Sequence, residues 1–140
     1  MKFMIIVKAT ADSEAGRFPP DSEELFKCMA VFHEDLAKAG ALLDASGLQP
    51  SSKGWRVRYE GSKRVVVDGP FTESKELIAG YTVIQVRSRA EALEWSRRFP
   101  NPVREGEPAE IEVRQLYEME DFEGLASAET QDRFKQIGME

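Results

Sequence analysis

Three carboxylates and an ammonium group fall within the nine residues Asp68-Gly69-Pro70-Phe71-Thr72-Glu73-Ser74-Lys75-Glu76. Groups of these types, held close together, could orient a polar substrate or carry a proton to or from it. The frame for them lies in the same run. Gly69 admits positive φ, and Pro70 fixes its own φ while restricting Gly69, which makes a preset turn after Asp68. Phe71 can then point inward as an anchor. The plainer alternative is a structural turn between two strands with solvated charges, because surface charge clusters are mostly structural.

Few other groups are available for chemistry, since the chain of 140 residues has one histidine and one cysteine. His33 could act as a base if a carboxylate such as Asp68 oriented it. The alternative places it half exposed at the edge of a buried helical stripe, beside Glu34. Cys28 has no histidine at matching spacing and is expected to be a small packed side chain rather than a nucleophile. A lone cysteine forms no intrachain disulfide, and the single His and Cys exclude the usual zinc spacings. No Gly-rich phosphate loop, Ser-His-Asp arrangement or cofactor fingerprint is present, so no cofactor and no metal are expected.

The net charge of −6 argues against nonspecific nucleic-acid binding through phosphates. Arg56, Arg58, Lys63 and Arg64 gather locally, either as an anion-binding patch or as a solvated face that protects a strand edge. Trp55 and Tyr81 could line an apolar ligand cleft or serve as dimer contacts. The apolar run from Phe3 to Val7 is too short for a signal-peptide core, and nothing approaches a transmembrane helix. A soluble, cytoplasmic protein without membrane partners is expected.

The elements that must position these groups follow from periodicity. Met4-Ile5-Ile6-Val7 reads as a buried strand. The segment Thr10 to Pro20 breaks it. Asp21 and Glu24 have capping-box spacing, and behind them Leu25, Met29, Phe32 and Leu36 recur at helical intervals, with Gly40 as a left-handed C-terminal cap. Trp55, Val57 and Tyr59 alternate with charged residues, Gly61-Ser62 is a two-residue turn, and Lys63 to Val67 is the return arm of a hairpin. Tyr81 to Val86 is another strand. Ser88 and Glu91 form a second capping box, opening a helix that Pro100 and Pro102 end, and Ile111 to Tyr117 is the last strand. The order β-α-(β)-β-β-β-α-β suggests an α+β ferredoxin-like sandwich with an antiparallel sheet and helices on one face. The other face, carrying side chains such as Trp55, Tyr59 or Tyr81, would need a cover. A closed homodimer is the economical one. Residues 119–140 form a weakly amphipathic tail, either a helix packing on a partner subunit or a frayed end.

The run from Asp68 to Glu76 resembles the D-G-P-F-x-E-x-K-E signature of the YCII-related (DGPF-type) family. Further matches are Met1-Lys2-Phe3-Met4, Leu36-Ala37-Lys38-Ala39-Gly40, Gly47-Leu48-Gln49-Pro50, Gly80-Tyr81 and Glu110-Ile111-Glu112-Val113-Arg114, so the resemblance spans about residues 1–118. It implies a dimeric ferredoxin-like α+β barrel, in a family whose members mostly lack an assigned function. It also implies a histidine–aspartate pair in a cleft between the sheet and the first helix, and a few relatives act on chlorinated hydroxylated aromatics. Carried over by position, the histidine falls on Met29 and the aspartate on Phe99, so that pair does not transfer. His33, one turn beyond Met29, is left facing the same cleft. The candidate site is therefore His33 and Asp68 as catalytic groups, with Phe71, Glu73, Lys75, Trp55 and Tyr81 as ligand contacts. Such a site would bind or transform a small aromatic or enolisable molecule. The alternative is a noncatalytic dimeric binding or regulatory module.

Overall fold

The computed structural model describes residues 1–139. Its elements are β1 (Lys2–Lys8), α1 (Ala11–Glu14), α2 (Ser22–Lys38), β2 (Leu42–Gly47), β3 (Trp55–Glu60), β4 (Lys63–Asp68), β5 (Ile78–Gln85), α3 (Arg89–Arg97), β6 (Ile111–Gln115) and α4 (Ala128–Gln136), with short 3-10 turns at Ser51–Lys53, Ser74–Glu76 and Met119–Phe122. Four strands form one sheet in the order β2-β5-β1-β6, and every neighbouring pair is antiparallel. With α2 and α3 as the two crossovers, this is the ferredoxin-like arrangement.

Side chains alternate across the sheet, so register decides which face each joins. Phe3 lies opposite Ile84, and Ile5 opposite Thr82 and Val113. This face packs on Phe32 and Leu36 of α2 and on Ala92 of α3, with Trp95, Phe99 and Ile111 at its margin. Ile5, Leu36 and Ile84 are fully buried at its centre.

The periodic stripe on α2 produced that packing. Phe32 and Leu36 are buried, and Leu25 and Met29 half-buried. Gly40, at φ +71°, ends the helix in a Schellman arrangement in which the Ala41 N–H reaches Leu36 O at 2.9 Å and the Gly40 N–H reaches Ala37 O at 3.0 Å. The start of α2 departs from expectation. Asp21 occupies the N-cap position but makes no side-chain capping bond. Its carboxylate instead accepts from the Arg104 guanidinium at 2.6 Å. An ionised donor makes the stronger hydrogen bond, and it draws the side chain away from the helix amides. That bond holds the Asp21 pKa below its ordinary value. Ser88 does cap α3, accepting from the Glu91 N–H at 3.1 Å, while the Glu91 carboxylate reaches back to the Arg87 N–H at 3.2 Å.

The strands β3 and β4 do not join the main sheet. They form a separate two-stranded hairpin, closed by Gly61 at φ +62°. The expectation that Trp55 and Tyr59 lie on the uncovered sheet face is therefore corrected. They stand on this arm, 64% and 70% exposed. The uncovered face of the main sheet carries Met4, Ile6, Tyr81 and Val83, all half-buried. Beside them run the Lys8–Glu112 and Arg114–Glu112 ion pairs at 3.1 and 3.4 Å. Those two cations hold the Glu112 pKa below its ordinary value. No described helix is long and apolar enough to cross a membrane.

Candidate functional site

The Asp68–Glu76 run is held in place by residues that precede it in the chain. Thr10 caps α1 by accepting from the Ser13 N–H at 3.1 Å, and Ser13 Oγ accepts from the Thr10 N–H at 2.8 Å. This one-turn helix delivers Glu14, half-buried, to the 3-10 turn at Ser51. The Glu14 carboxylate accepts the Ser51 N–H at 3.0 Å through one oxygen and the Ser51 hydroxyl through the other. Ser51 Oγ in turn accepts the Phe71 N–H at 3.0 Å. Two carboxylate oxygens, one hydroxyl and two amides thus tie α1, the Ser51 turn and the Phe71 backbone into one polar knot.

Gly69 fixes the other side of the turn. Its N–H donates to Gly54 O at 3.0 Å, and a Cβ built on it would lie 1.9 Å from the Ser51 carbonyl oxygen. Only glycine lets the two backbones approach this closely. The Gly69–Pro70 peptide is cis.

Between these segments lies a cavity of about 300 Å³, lined by Phe71, Leu48, Pro50, Leu77 and Ile78, with Glu14 and Lys53 among its polar residues. Its size is at the lower end for small-molecule sites, which are typically apolar with a few placed polar groups. The Arg56 guanidinium stacks 3.8 Å from the Phe71 ring centroid and limits how that ring can turn. Chemically, the walls suit a flat apolar molecule, and Glu14 and Lys53 offer an acceptor and a donor for its polar edge.

Of the seven residues expected at the site, Phe71 is the one that lines this cavity. His33 is elsewhere, between α2 and the sheet. Its Nδ1 lies 2.7 Å from the Met29 carbonyl, which can only accept, so Nδ1 carries a hydrogen. Its Nε2 lies 2.9 Å from Thr82 Oγ1, the hydroxyl of a buried residue. The edge of Phe99 stands 6.3 Å away, centroid to centroid. Asp68 is exposed at the end of β4, opposite Trp55. Among the described residues no hydrogen bond or ion pair joins it to His33, because Met29 and Thr82 already occupy both ring nitrogens. Glu73 and Lys75 are exposed. Tyr81 donates to Asp44 at 3.1 Å on the uncovered sheet face, and this bond raises the phenol's pKa. Cys28, expected to be packed, is exposed, with Sγ 3.7 Å from Glu24 Oε1.

Sequence reasoning missed Glu14 and Ser51. The one available signal was the Thr10/Ser13 pair three residues apart, the spacing of a helix N-terminus.

The YCII-related domain family matches residues 1–120. The chain belongs to this family. Among curated proteins, this YCII-related chain is similar to an uncharacterised protein of Rhizobium meliloti (strain 1021), with 28% identity over 81 residues covering 58% of this chain. The match spans 65% of that relative's length. Among solved structures it is similar to 5-chloro-2-hydroxyhydroquinone dehydrochlorinase from Burkholderia phenoliruptrix AC1100, in complex with 2,5-dihydroxybenzoquinone. That similarity has 12% identity and a TM-score of 0.42 over 84% of this chain and 95% of that one.

Proposed function

We propose that this YCII-related protein binds a small aromatic molecule in the cavity between the Ser51 turn and the Asp68–Glu76 loop. Phe71 is the stacking platform, and Glu14 and Lys53 meet the polar edge of the ligand. The observation that carries this reading is the polar knot of Glu14, Ser51 and the Phe71 amide, which fixes an aromatic wall beside an apolar cavity of about 300 Å³. Preorganisation of this kind lowers the ordering cost of binding. Binding without turnover is favoured over transformation, because both nitrogens of the single histidine are bonded within the protein and Asp68 stands apart from it. The protein acts as a cytoplasmic homodimer, which shields the half-buried Met4, Ile6 and Val83 on the uncovered sheet face.

A thermal-shift panel of phenols and aromatic acids tests this. A specific ligand raises the melting temperature by mass action. At least one panel member is expected to stabilise wild type and not Phe71→Ala, and to be recovered chemically unchanged. Silence across the panel overturns the binding reading, and recovery of a converted product overturns its noncatalytic part.

A further inference from the structure

The charged side chains at the cavity differ in how much hydrogen-bonding capacity they have left. Glu14 is the one carboxylate among the described lining residues, and both of its oxygens already accept from Ser51. Lys53 is the one lining cation, and among the described residues its ammonium makes no hydrogen bond or ion pair. An ammonium is donor-only, with three hydrogens to give. Arg56 adds a second cation at the aromatic wall, its guanidinium 3.8 Å from the Phe71 ring centroid. Its five N–H groups likewise have no acceptor among the described residues.

Strand register extends this cationic ground. Arg56, Arg58 and Glu60 of β3 share a face with Val67, Val65 and Lys63 of β4, opposite to the face of Trp55, Val57 and Tyr59. Three cations stand there against one carboxylate, and among the described residues no ion pair neutralises any of them. Arg56 brings that face into contact with Phe71. In a chain of net charge −6, the sign of the charge is reversed at the cavity's aromatic wall.

We propose that the aromatic ligand of this cavity is an anion, an arene carboxylate whose charged group is met by Lys53 and Arg56. A carboxylate accepts only, which matches two cations whose donors are unused, and bonds between ionised partners are the stronger ones. A neutral phenol leaves most of those donors unanswered. Arg58 and Lys63, farther along the same face, raise the local concentration of anions and are screened by salt. This ligand class rests on the aromatic-binding reading above and adds the charge of the molecule bound.

Titrations of the full chain with 4-hydroxybenzoate and 4-hydroxybenzamide test it, read by amide chemical shifts at low salt and about pH 7, where the acid is ionised. The two share a ring and a hydroxyl and differ in charge. The acid is expected to bind about fivefold tighter than the amide, and the preference to shrink at about 0.5 M salt. Lys53→Met with Arg56→Met removes both charges at exposed positions and keeps apolar stems. This variant is expected to bind the acid only as well as the amide, within about twofold, with the amide's affinity unchanged. An equal fall for both compounds would mean that these residues only hold Phe71, and overturns their role as carboxylate partners. Equal affinities of acid and amide in wild type, both lost in Phe71→Ala, overturn the anionic class and leave an aromatic site standing. No saturable shifts with either compound up to about 10 mM overturn the site as well.

Discussion

The Gly69 α-carbon sits so close to the Ser51 carbonyl that a single added β-carbon would lie 1.9 Å from that oxygen. This contact joins the Asp68–Glu76 turn to the far wall of the cavity, and the Ser51 hydroxyl and Gly54 carbonyl hold the same two segments by hydrogen bonds. The turn's role is therefore positional. It sets Phe71, while its own charged residues point into solvent.

Gly69→Ala is expected to destabilise the fold by about 3 kcal/mol, since a backbone atom must move to admit the methyl group. Gly54→Ala, whose Cβ would meet Ser51 O at an ordinary 3.7 Å, is the control and is expected to cost about 1 kcal/mol or less. Urea unfolding of both variants measures the difference. Equal costs would show that the close approach has no energetic consequence.

Removing the hinge of the polar knot has a smaller effect on stability and a larger one on the site. Ser51→Ala leaves the Phe71 N–H and the Glu14 carboxylate without their shared partner, at a cost of about 1–3 kcal/mol. Any ligand that stabilises wild type is expected to bind this variant more weakly, because the Phe71 backbone is no longer held. Unfolding curves and ligand titration on one preparation separate the two effects.

His33 is predicted to be structural. Thr82→Val removes the hydroxyl at its Nε2 and leaves a half-buried ring nitrogen unsatisfied, costing about 1–3 kcal/mol. Ligand affinity in the cavity is expected to stay at the wild-type value. Nitrogen NMR of the imidazole should show the hydrogen on Nδ1. A wild-type ring with its hydrogen on Nε2 alone would contradict the bond to Met29.

The Asp21–Arg104 pair gives a pH signature. The folded pKa of Asp21 is depressed, chiefly by its hydrogen bond to Arg104. The contribution is complete above the unfolded pKa and is lost as pH falls through the lower folded value. Melting temperature followed below about pH 4 is expected to fall less steeply in Asp21→Asn than in wild type. The effect is small because both groups are exposed. Parallel curves would rule out the linkage.

Strands β1 and β5 and the helix α2 were legible because each rests on a local pattern. Leu25, Met29, Phe32 and Leu36 recur with the period of a helix, and Gly40 ends it. The alternation of Trp55, Val57 and Tyr59 correctly gave a strand and its hairpin, but alternation reports which residues share a face and not what covers that face. The arm turned out to be uncovered. The site was less legible. Glu14 and Ser51 are 37 residues apart, and neither stands in a periodic element long enough to reveal its orientation. Asp21 had the spacing of a cap, yet a guanidinium 83 residues away took its carboxylate. Cooperation between distant segments leaves no period in the sequence.

The most direct measurement is amide chemical-shift mapping on titration with the strongest stabiliser from the panel of phenols and aromatic acids. The predicted result is saturable shifts confined to Leu48–Gly54, Phe71–Ile78 and Glu14, absent in Phe71→Ala. Shifts centred on His33 and Thr82, or no saturable shifts at all, would contradict the account.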